Sequence, residues 1–73
     1  MIFVDVDTEY GTKDYLIDEH AACSEVICDL TQGPDAGYRL SDGMSGAVLR
    51  EDMSLEEQGI TSGCRLRLRR YRL

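Results

Sequence analysis

Two stretches of strict alternation, one near each end of the chain, constrain the fold more than any other feature. In the opening MIFVDVD, apolar residues at positions 2, 4 and 6 alternate with mostly polar ones. In CRLRLR, Cys64, Leu66 and Leu68 alternate with three arginines. Successive side chains of a strand point to opposite faces, so each stretch predicts a half-buried strand. Both strands should turn their apolar residues inward.

Between these stretches the apolar period changes from two to about three and a half, which indicates one amphipathic helix. Asp18 is the predicted N-cap of this helix. The segment Gln32-Gly33-Pro34 is its predicted end. The helical face is carried by Cys23, Val26, Ile27 and Leu30.

Three shorter apolar runs complete the predicted sheet, at residues 15–17, 38–40 and 47–49. Residues 8–12 are predicted as the loop of a first hairpin, and Asp42-Gly43 as a tight turn. The predicted order is β-β-α-β-β-turn-β. This order describes a single α+β domain over residues 1–73, with one mixed sheet packed on one helix.

A capping motif precedes the last strand. Ser54 and Glu57 have the S-x-x-E spacing in which each side chain bonds the other's backbone N–H. Gly59 stands where the end of a short helical turn needs positive φ, and Ile60 can pack back on Leu55. Residues 55–58 are therefore predicted to form one helical turn.

Size and charge exclude several functions. A chain of 73 residues buries only a small core, so its folding stability should be about 3–5 kcal/mol. It has no room for a deep substrate cavity. We therefore expect no enzyme, no catalytic residue and no cofactor. The net charge of −6 argues against nucleic acid, because phosphate binding needs a basic surface.

Cysteine and acidic residues do not form a metal motif. The three cysteines, Cys23, Cys28 and Cys64, include no C-x-x-C pair, and we expect buried thiols in a reducing cytoplasm. The run beginning at Asp5 resembles a calcium loop only in part, since Leu16 stands where the bidentate glutamate belongs. His20 has no nucleophile at a catalytic spacing.

The sequence shows no signal peptide and no apolar run long enough to cross a membrane. From the sequence we therefore expect a cytoplasmic protein with no direct membrane insertion.

The predicted element order is that of the β-grasp, and the chain resembles ubiquitin over nearly its whole length. The segment LREDMSLEEQGITSGCRLRLRR, residues 49–70, is similar to the second half of ubiquitin. Two core leucines keep the same offset there, Leu49 and Leu55, and so does the final alternating strand. The resemblance implies a ubiquitin-like protein-interaction module.

A bacterial branch gives the closer resemblance. Residues 55–66, LEEQGITSGCRL, are similar to the ending of YukD/EsaB-like proteins, which are encoded with type VII (WXG100) secretion systems. Ser62 and Cys64 replace an asparagine and an aspartate of that pattern. The resemblance implies a bacterial accessory or regulatory component of such a system.

Ubiquitin's functional parts are not matched here. The chain ends Arg70-Tyr71-Arg72-Leu73 without Gly-Gly, so we expect a non-conjugated protein. Ser41 and Arg69 align near the isoleucine and valine of ubiquitin's apolar patch. A modifier or sulfur carrier is the alternative, and a small metal or redox module is a third possibility.

The arginine-rich last strand is the main candidate site. Asp5 and Asp7 should share a face with its arginines, because the first and last strands of a β-grasp are parallel neighbours. This face is either solvated and self-neutralised or a docking surface for an acidic protein segment. Self-association through exposed sheet edges is also possible. The candidate partner-binding residues are Phe3, Arg65, Arg67, Arg69, Arg70, Tyr71 and Arg72.

Overall fold

One mixed sheet packs against one helix, as predicted. A computed structural model describes residues 1–31 and 37–71 of the chain. The strand order is β2-β1-β4-β3, with β1 and β4 parallel and the outer pairs antiparallel. The elements are β1 Ile2–Thr8, β2 Gly11–Ile17, α1 Cys23–Thr31, β3 Tyr38–Asp42, a 3₁₀ turn Glu56–Gln58, and β4 Arg65–Arg70.

The parallel register of β1 and β4 confirms the predicted alternation. Asp5 pairs with Arg65, and Asp7 pairs with Arg67. Leu66, between those arginines, is fully buried. The alternate residues Val4, Val6, Leu66 and Leu68 therefore face α1, and Asp5, Asp7, Arg65 and Arg67 face away from it.

The core lies between the inner side of the sheet and one face of α1. The predicted helical face is confirmed, because three of its four residues are buried and Leu30 is partly buried against the core. The buried apolar residues are Val4, Val6, Ile17, Cys23, Val26, Ile27, Leu40, Leu49, Leu55, Ile60, Leu66 and Leu68.

The predicted capping motif is present. Ser54 N–H donates to Glu57 Oε1 at 3.0 Å, and Glu57 N–H donates to Ser54 Oγ at 3.1 Å. Gly59 has φ 80°, and Ile60 N–H donates to the Leu55 carbonyl at 3.0 Å. This turn fixes the approach of the chain to β4.

The strand predicted at residues 47–49 is wrong. This segment touches β3 through one isolated bridge, between Ser41 and Val48. The chain then leaves the sheet, because the Gln58 side chain bonds both backbone groups of Arg50. Gln58 Oε1 accepts from Arg50 N–H at 2.6 Å, and Gln58 Nε2 donates to its carbonyl at 2.9 Å. The Gln58 side chain thus makes the hydrogen bonds that a neighbouring strand would otherwise make.

Asp18 does not cap α1, which is a second correction. Its Oδ1 accepts from His20 N–H at 2.9 Å within a local turn, and α1 begins later, at Cys23. Loop carbonyls take the place of a side-chain cap. Cys23 N–H donates to the Met53 carbonyl at 2.9 Å, and Ser24 N–H donates to the Glu51 carbonyl at 3.1 Å. The predicted helix end at residues 32–34 lies outside the described residues.

The first hairpin is tighter than predicted. β2 starts at Gly11 and not at residue 15. Thr8 Oγ1 accepts from Tyr10 N–H at 3.1 Å and donates to the Gly11 carbonyl at 2.9 Å, which closes the turn. Gly11 has φ 122°, a conformation that favours glycine. β2 is an edge strand in which only Ile17 is buried, so its sequence carries little alternation.

The three thiols are not equally buried, which corrects a further prediction. Cys23 lies in the core, whereas Cys28 and Cys64 are only partly buried. The Cys64 Sγ lies 3.5 Å from the Thr61 N–H. Cys64 therefore belongs to the turn that leads into β4.

Candidate docking face

The side of the sheet that faces away from α1 is called the outer face here. Alternation and register together define its members. It is built from Phe3, Asp5 and Asp7 of β1, Thr12, Asp14 and Leu16 of β2, Arg65, Arg67 and Arg69 of β4, and Arg39 and Ser41 of β3. Four of the seven residues named from the sequence lie on it.

Asp7 pairs with two of the arginines. Arg69 Nη2 lies 3.3 Å from Asp7 Oδ2, and Arg69 Nη1 donates to the Asp7 carbonyl at 2.8 Å. Arg67 Nε lies 3.8 Å from the same carboxylate. One acid thus partly neutralises two cations. Both guanidiniums remain substantially exposed, so they stay open to a further carboxylate.

Arg65 has no ion pair among the described residues. Its stem lies against Gly43, where an added Cβ would be 2.9 Å from Arg65 Cγ. The Gly43 N–H donates to the Arg65 carbonyl at 2.8 Å. The aliphatic stem of Arg65 therefore packs on Gly43, while Arg65 as a whole is exposed.

Two carboxyl groups meet on the β1–β2 half of the outer face. Asp5 and Asp14 are register partners on antiparallel strands. A hydrogen bond shared with Asp5, and then its negative charge, raises the pKa of Asp14 above its ordinary value. Like charges directly opposite each other destabilise a sheet. Neither acid has an ion pair among the described residues.

Exposed apolar side chains lie beside this acidic pair. Phe3 is 61% exposed, and its register partner Leu16 is 52% exposed. Phe3 is held at the edge of a turn, because its N–H donates to Ser62 Oγ at 3.2 Å and its carbonyl accepts from Gly63 N–H at 2.8 Å. The two side chains form a small apolar contact surface.

The remaining predicted residues, at the end of β4 and after it, do not all lie on the outer face. The Arg39 guanidinium lies 4.2 Å from the Tyr71 ring centre, which extends the outer face. Arg70 points to the other side of the sheet, where its Nη2 lies 3.2 Å from Tyr38 Oη. Arg70 is therefore not brought together with the other arginines. Arg72 lies outside the described residues.

Arg70 instead borders a second surface feature. A groove of about 720 Å³ runs between the first hairpin turn and the end of α1. Tyrosine and threonine side chains dominate it, with Glu9 and Lys13 at its rim. Its lining includes Tyr10, Tyr15, Leu30, Thr31, Tyr38 and Leu68.

Sequence reasoning missed Asp14, Leu16 and Arg39 as members of the outer face. Placing Leu16 beside Phe3 requires the β1–β2 register, which the sequence does not give. Asp14 lies between the predicted loop at residues 8–12 and the predicted strand at residues 15–17. A reading of period two over all of β2 would have placed both on one side. Nothing local signals that Arg39 meets Tyr71.

Within 1–31 and 37–71, no group of three His, Cys, Asp or Glu side chains lies close enough to hold a metal ion. His20 Nδ1 lies 2.6 Å from Glu56 Oε2, and both side chains are exposed. In the same part of the chain, no helix is both long and apolar enough to span a bilayer.

Solved structures share this fold. An archaeal ubiquitin from Caldiarchaeum subterraneum superposes with a TM-score of 0.74 at 18% identity, over 99% of this chain and 95% of that one. The ubiquitin-like domain of an Arabidopsis thaliana protein gives a TM-score of 0.81 at 21% identity, over 99% and 79%. The EccD5 ubiquitin-like domain from Mycobacterium xenopi gives 0.77 at 24% identity, over 92% and 90%.

No family model and no curated protein matches the sequence. The structural matches confirm the predicted ubiquitin-like β-grasp fold.

Proposed function

We propose that this ubiquitin-like domain is a non-conjugated protein-interaction module that binds a partner through its outer face. The observation that carries the proposal is the grouping of exposed Arg65, Arg67 and Phe3, with half-buried Arg69, on one side of the sheet. Arginine and aromatic side chains dominate binding energy in protein interfaces. No bond is made or broken in this mechanism.

The partner presents carboxylates to Arg65, Arg67 and Arg69 on the outer face. Arg65 has no ion pair among the described residues, and the Asp7 carboxylate is shared between Arg67 and Arg69. A carboxylate of the partner can therefore gain a charge-assisted hydrogen bond. Phe3 adds apolar area next to these contacts.

The similarity of residues 55–66 to YukD/EsaB-like proteins supports a role as an accessory or regulatory component of a bacterial type VII secretion system. The domain would then act in the cytoplasm, docked to another component. No Gly-Gly pair occurs in the 73 residues, which supports the non-conjugated form. A modifier or sulfur carrier is the second candidate, supported by the fold.

Affinity capture from the native host tests the proposal. Wild type is compared with Arg65→Glu/Arg67→Glu and with the matched control Arg50→Glu. Arg50 is a suitable control because it pairs with Asp52 in a loop away from the outer face. We expect secretion-system components with wild type and the control, and their loss with the double variant.

Other results would contradict specific parts of the proposal. Equal recovery with all three proteins would place the binding surface elsewhere. A covalent ladder, or an ATP-dependent adduct with an activating enzyme, would support the modifier instead. Recovery of no secretion-system component would overturn the assigned system.

A further inference from the structure

Charge divides the outer face into two halves. The β1 and β2 half carries Asp5, Asp7 and Asp14, and the β3 and β4 half carries only arginines as charged residues. The border between them runs along the strands, between β1 and β4. We propose that this face is complementary to itself, and that two copies of the chain associate through it as a weak two-fold symmetric dimer.

Of the two in-plane axis directions, along the strands and across them, only the first brings opposite charges together. An axis in the plane of the face and parallel to the strands, placed between β1 and β4, lays β1 of one copy on β4 of the other. An in-plane axis across the strands would lay β1 on β1 and bring acid against acid. The isologous rule then gives each contact twice.

Asp5, Asp14 and Arg65, which form no ion pair within residues 1–31 and 37–71, lie close to this symmetry axis. Asp5 and Asp14 are register partners whose negative charges repel each other. Arg65 lies in the same row, on the other side of the axis. The dimer places Arg65 of one copy over Asp5 of the other. This one contact therefore places a cation beside the Asp5–Asp14 pair and gives Arg65 a carboxylate that the described residues of its own copy do not supply as an ion pair.

The apolar part of the face fits the same arrangement. Beside Arg65 the surface has a shallow hollow of about 540 Å³. It is lined by Gly43, Met44, Ser62, Gly63 and Cys64, with Asp5, Asp42 and Arg65 also in its lining. Phe3 occupies the equivalent position on the β1 side, next to Gly63. The two-fold axis carries Phe3 of one copy onto the hollow of the other. Met44, which is 92% exposed, supplies apolar contact there.

The size of the face predicts a weak complex. Four strands at a spacing of about 4.8 Å and three rows of outward side chains cover about 20 Å by 20 Å. That is about 400 Å² per copy, below the roughly 800 Å² of a standard stable interface. We expect a dissociation constant between about 10 μM and about 1 mM.

The dimer goes beyond the proposed function and does not depend on it. Dimer and partner use the same arginines, so self-association leaves fewer arginines open to a partner. Purified protein alone is enough for the test.

Two opposite charge reversals provide the test. Arg65→Glu leaves acids at both positions 5 and 65, and Asp5→Arg leaves arginines at both. Each variant should repel its own copies, so its self-association should weaken at least about tenfold. Mixed together they present acid to base at both contacts, and the heterodimer should form. Arg50→Glu, with the same charge change away from the face, should dimerise like wild type.

Sedimentation velocity from about 10 μM to about 1 mM measures the association. NMR spectra of labelled Arg65→Glu with unlabelled Asp5→Arg map the contact and show that both variants are folded. Recovery of the dimer on mixing, with shifts on Phe3 and the outer face, supports the proposal. A wild type that remains monomeric at about 1 mM overturns it, as do variants that dimerise alone or shifts confined to a sheet edge.

Discussion

Asp5 and Asp14 face each other across β1 and β2, so that two carboxyl groups share an exposed site on the sheet. Because the pKa of Asp14 is raised, the folded state binds a proton there more tightly than the unfolded state does. The stability contributed by this pair is therefore highest at low pH and falls as pH rises above about 3.8, the ordinary value.

Asp14→Asn should raise the free energy of unfolding at pH 7 and have little effect at pH 3, below the ordinary value of the Asp14 pKa, where the Asp14 carboxyl is mostly protonated. Urea unfolding at the two pH values measures this difference. Thr12→Asn, on the same exposed side of β2, is the matched control and should show no such pH dependence. An Asp14→Asn protein that is less stable than wild type at pH 7 would contradict the assigned repulsion.

Leu66 and Leu16 test the two sides of the sheet with the same substitution. Leu66 is fully buried, whereas Leu16 is 52% exposed. Leu66→Ala should lose about 2–5 kcal/mol, which approaches the whole stability of a domain this small. Leu16→Ala should lose less than about 0.5 kcal/mol. Thermal and urea unfolding compare them, and similar losses would mean that the faces are wrongly assigned.

Gln58 should be needed to hold the chain that leaves β3. Gln58→Ala removes the partner of both the N–H and the carbonyl of Arg50, with an expected loss of about 1–3 kcal/mol. Gln58→Glu keeps the acceptor but not the donor. Hydrogen exchange at the Arg50 amide should therefore accelerate in the alanine variant and much less in the glutamate variant. Equal protection in both would show that the side chain is not the partner.

The capping motif gives a pH dependence of the opposite sign to that of Asp14. Hydrogen bonds from the Ser54 N–H and hydroxyl lower the pKa of Glu57 below its ordinary value near 4.5. This stabilisation is present above pH 4.5 and is lost as pH falls through the lower folded pKa.

Ser54→Ala should cost about 1 kcal/mol at pH 7. Glu57→Gln should keep the turn and remove its part of the acid-induced loss. Unfolding free energies between pH 2 and about pH 7 separate the two effects. If Glu57→Gln loses stability in acid as steeply as wild type, Glu57 is not responsible for that slope.

The cysteines should differ in reactivity. Burial, and then the charge of Glu51, raises the pKa of the Cys23 thiol to about 11, so at pH 8 this thiol stays protonated. Cys28 and Cys64 are partly exposed. Iodoacetamide should therefore alkylate those two in the folded protein and reach Cys23 only after unfolding. Peptide mass spectrometry with and without urea checks this, and rapid labelling of Cys23 in native buffer would contradict its burial.

The sequence by itself determined the parts of this protein that depend on local spacing. The alternation of Cys64, Leu66 and Leu68 placed the last strand. The helical spacing from Cys23 to Leu30 placed α1, and Ser54 with Glu57 placed the capped turn. Each signal lies within a few residues, because the direction of a side chain follows from the period of its own element.

Only the tertiary structure decided what stands beside what. The pairing of Asp5 with Asp14, the seating of Arg65 on Gly43 and the capture of the Arg50 backbone by Gln58 join segments through register and loop path. Residues 47–49 look like a strand locally, yet a side chain satisfies the backbone that follows them. These contacts depend on how distant elements align in space, and one residue's slip in register would exchange the faces of a strand.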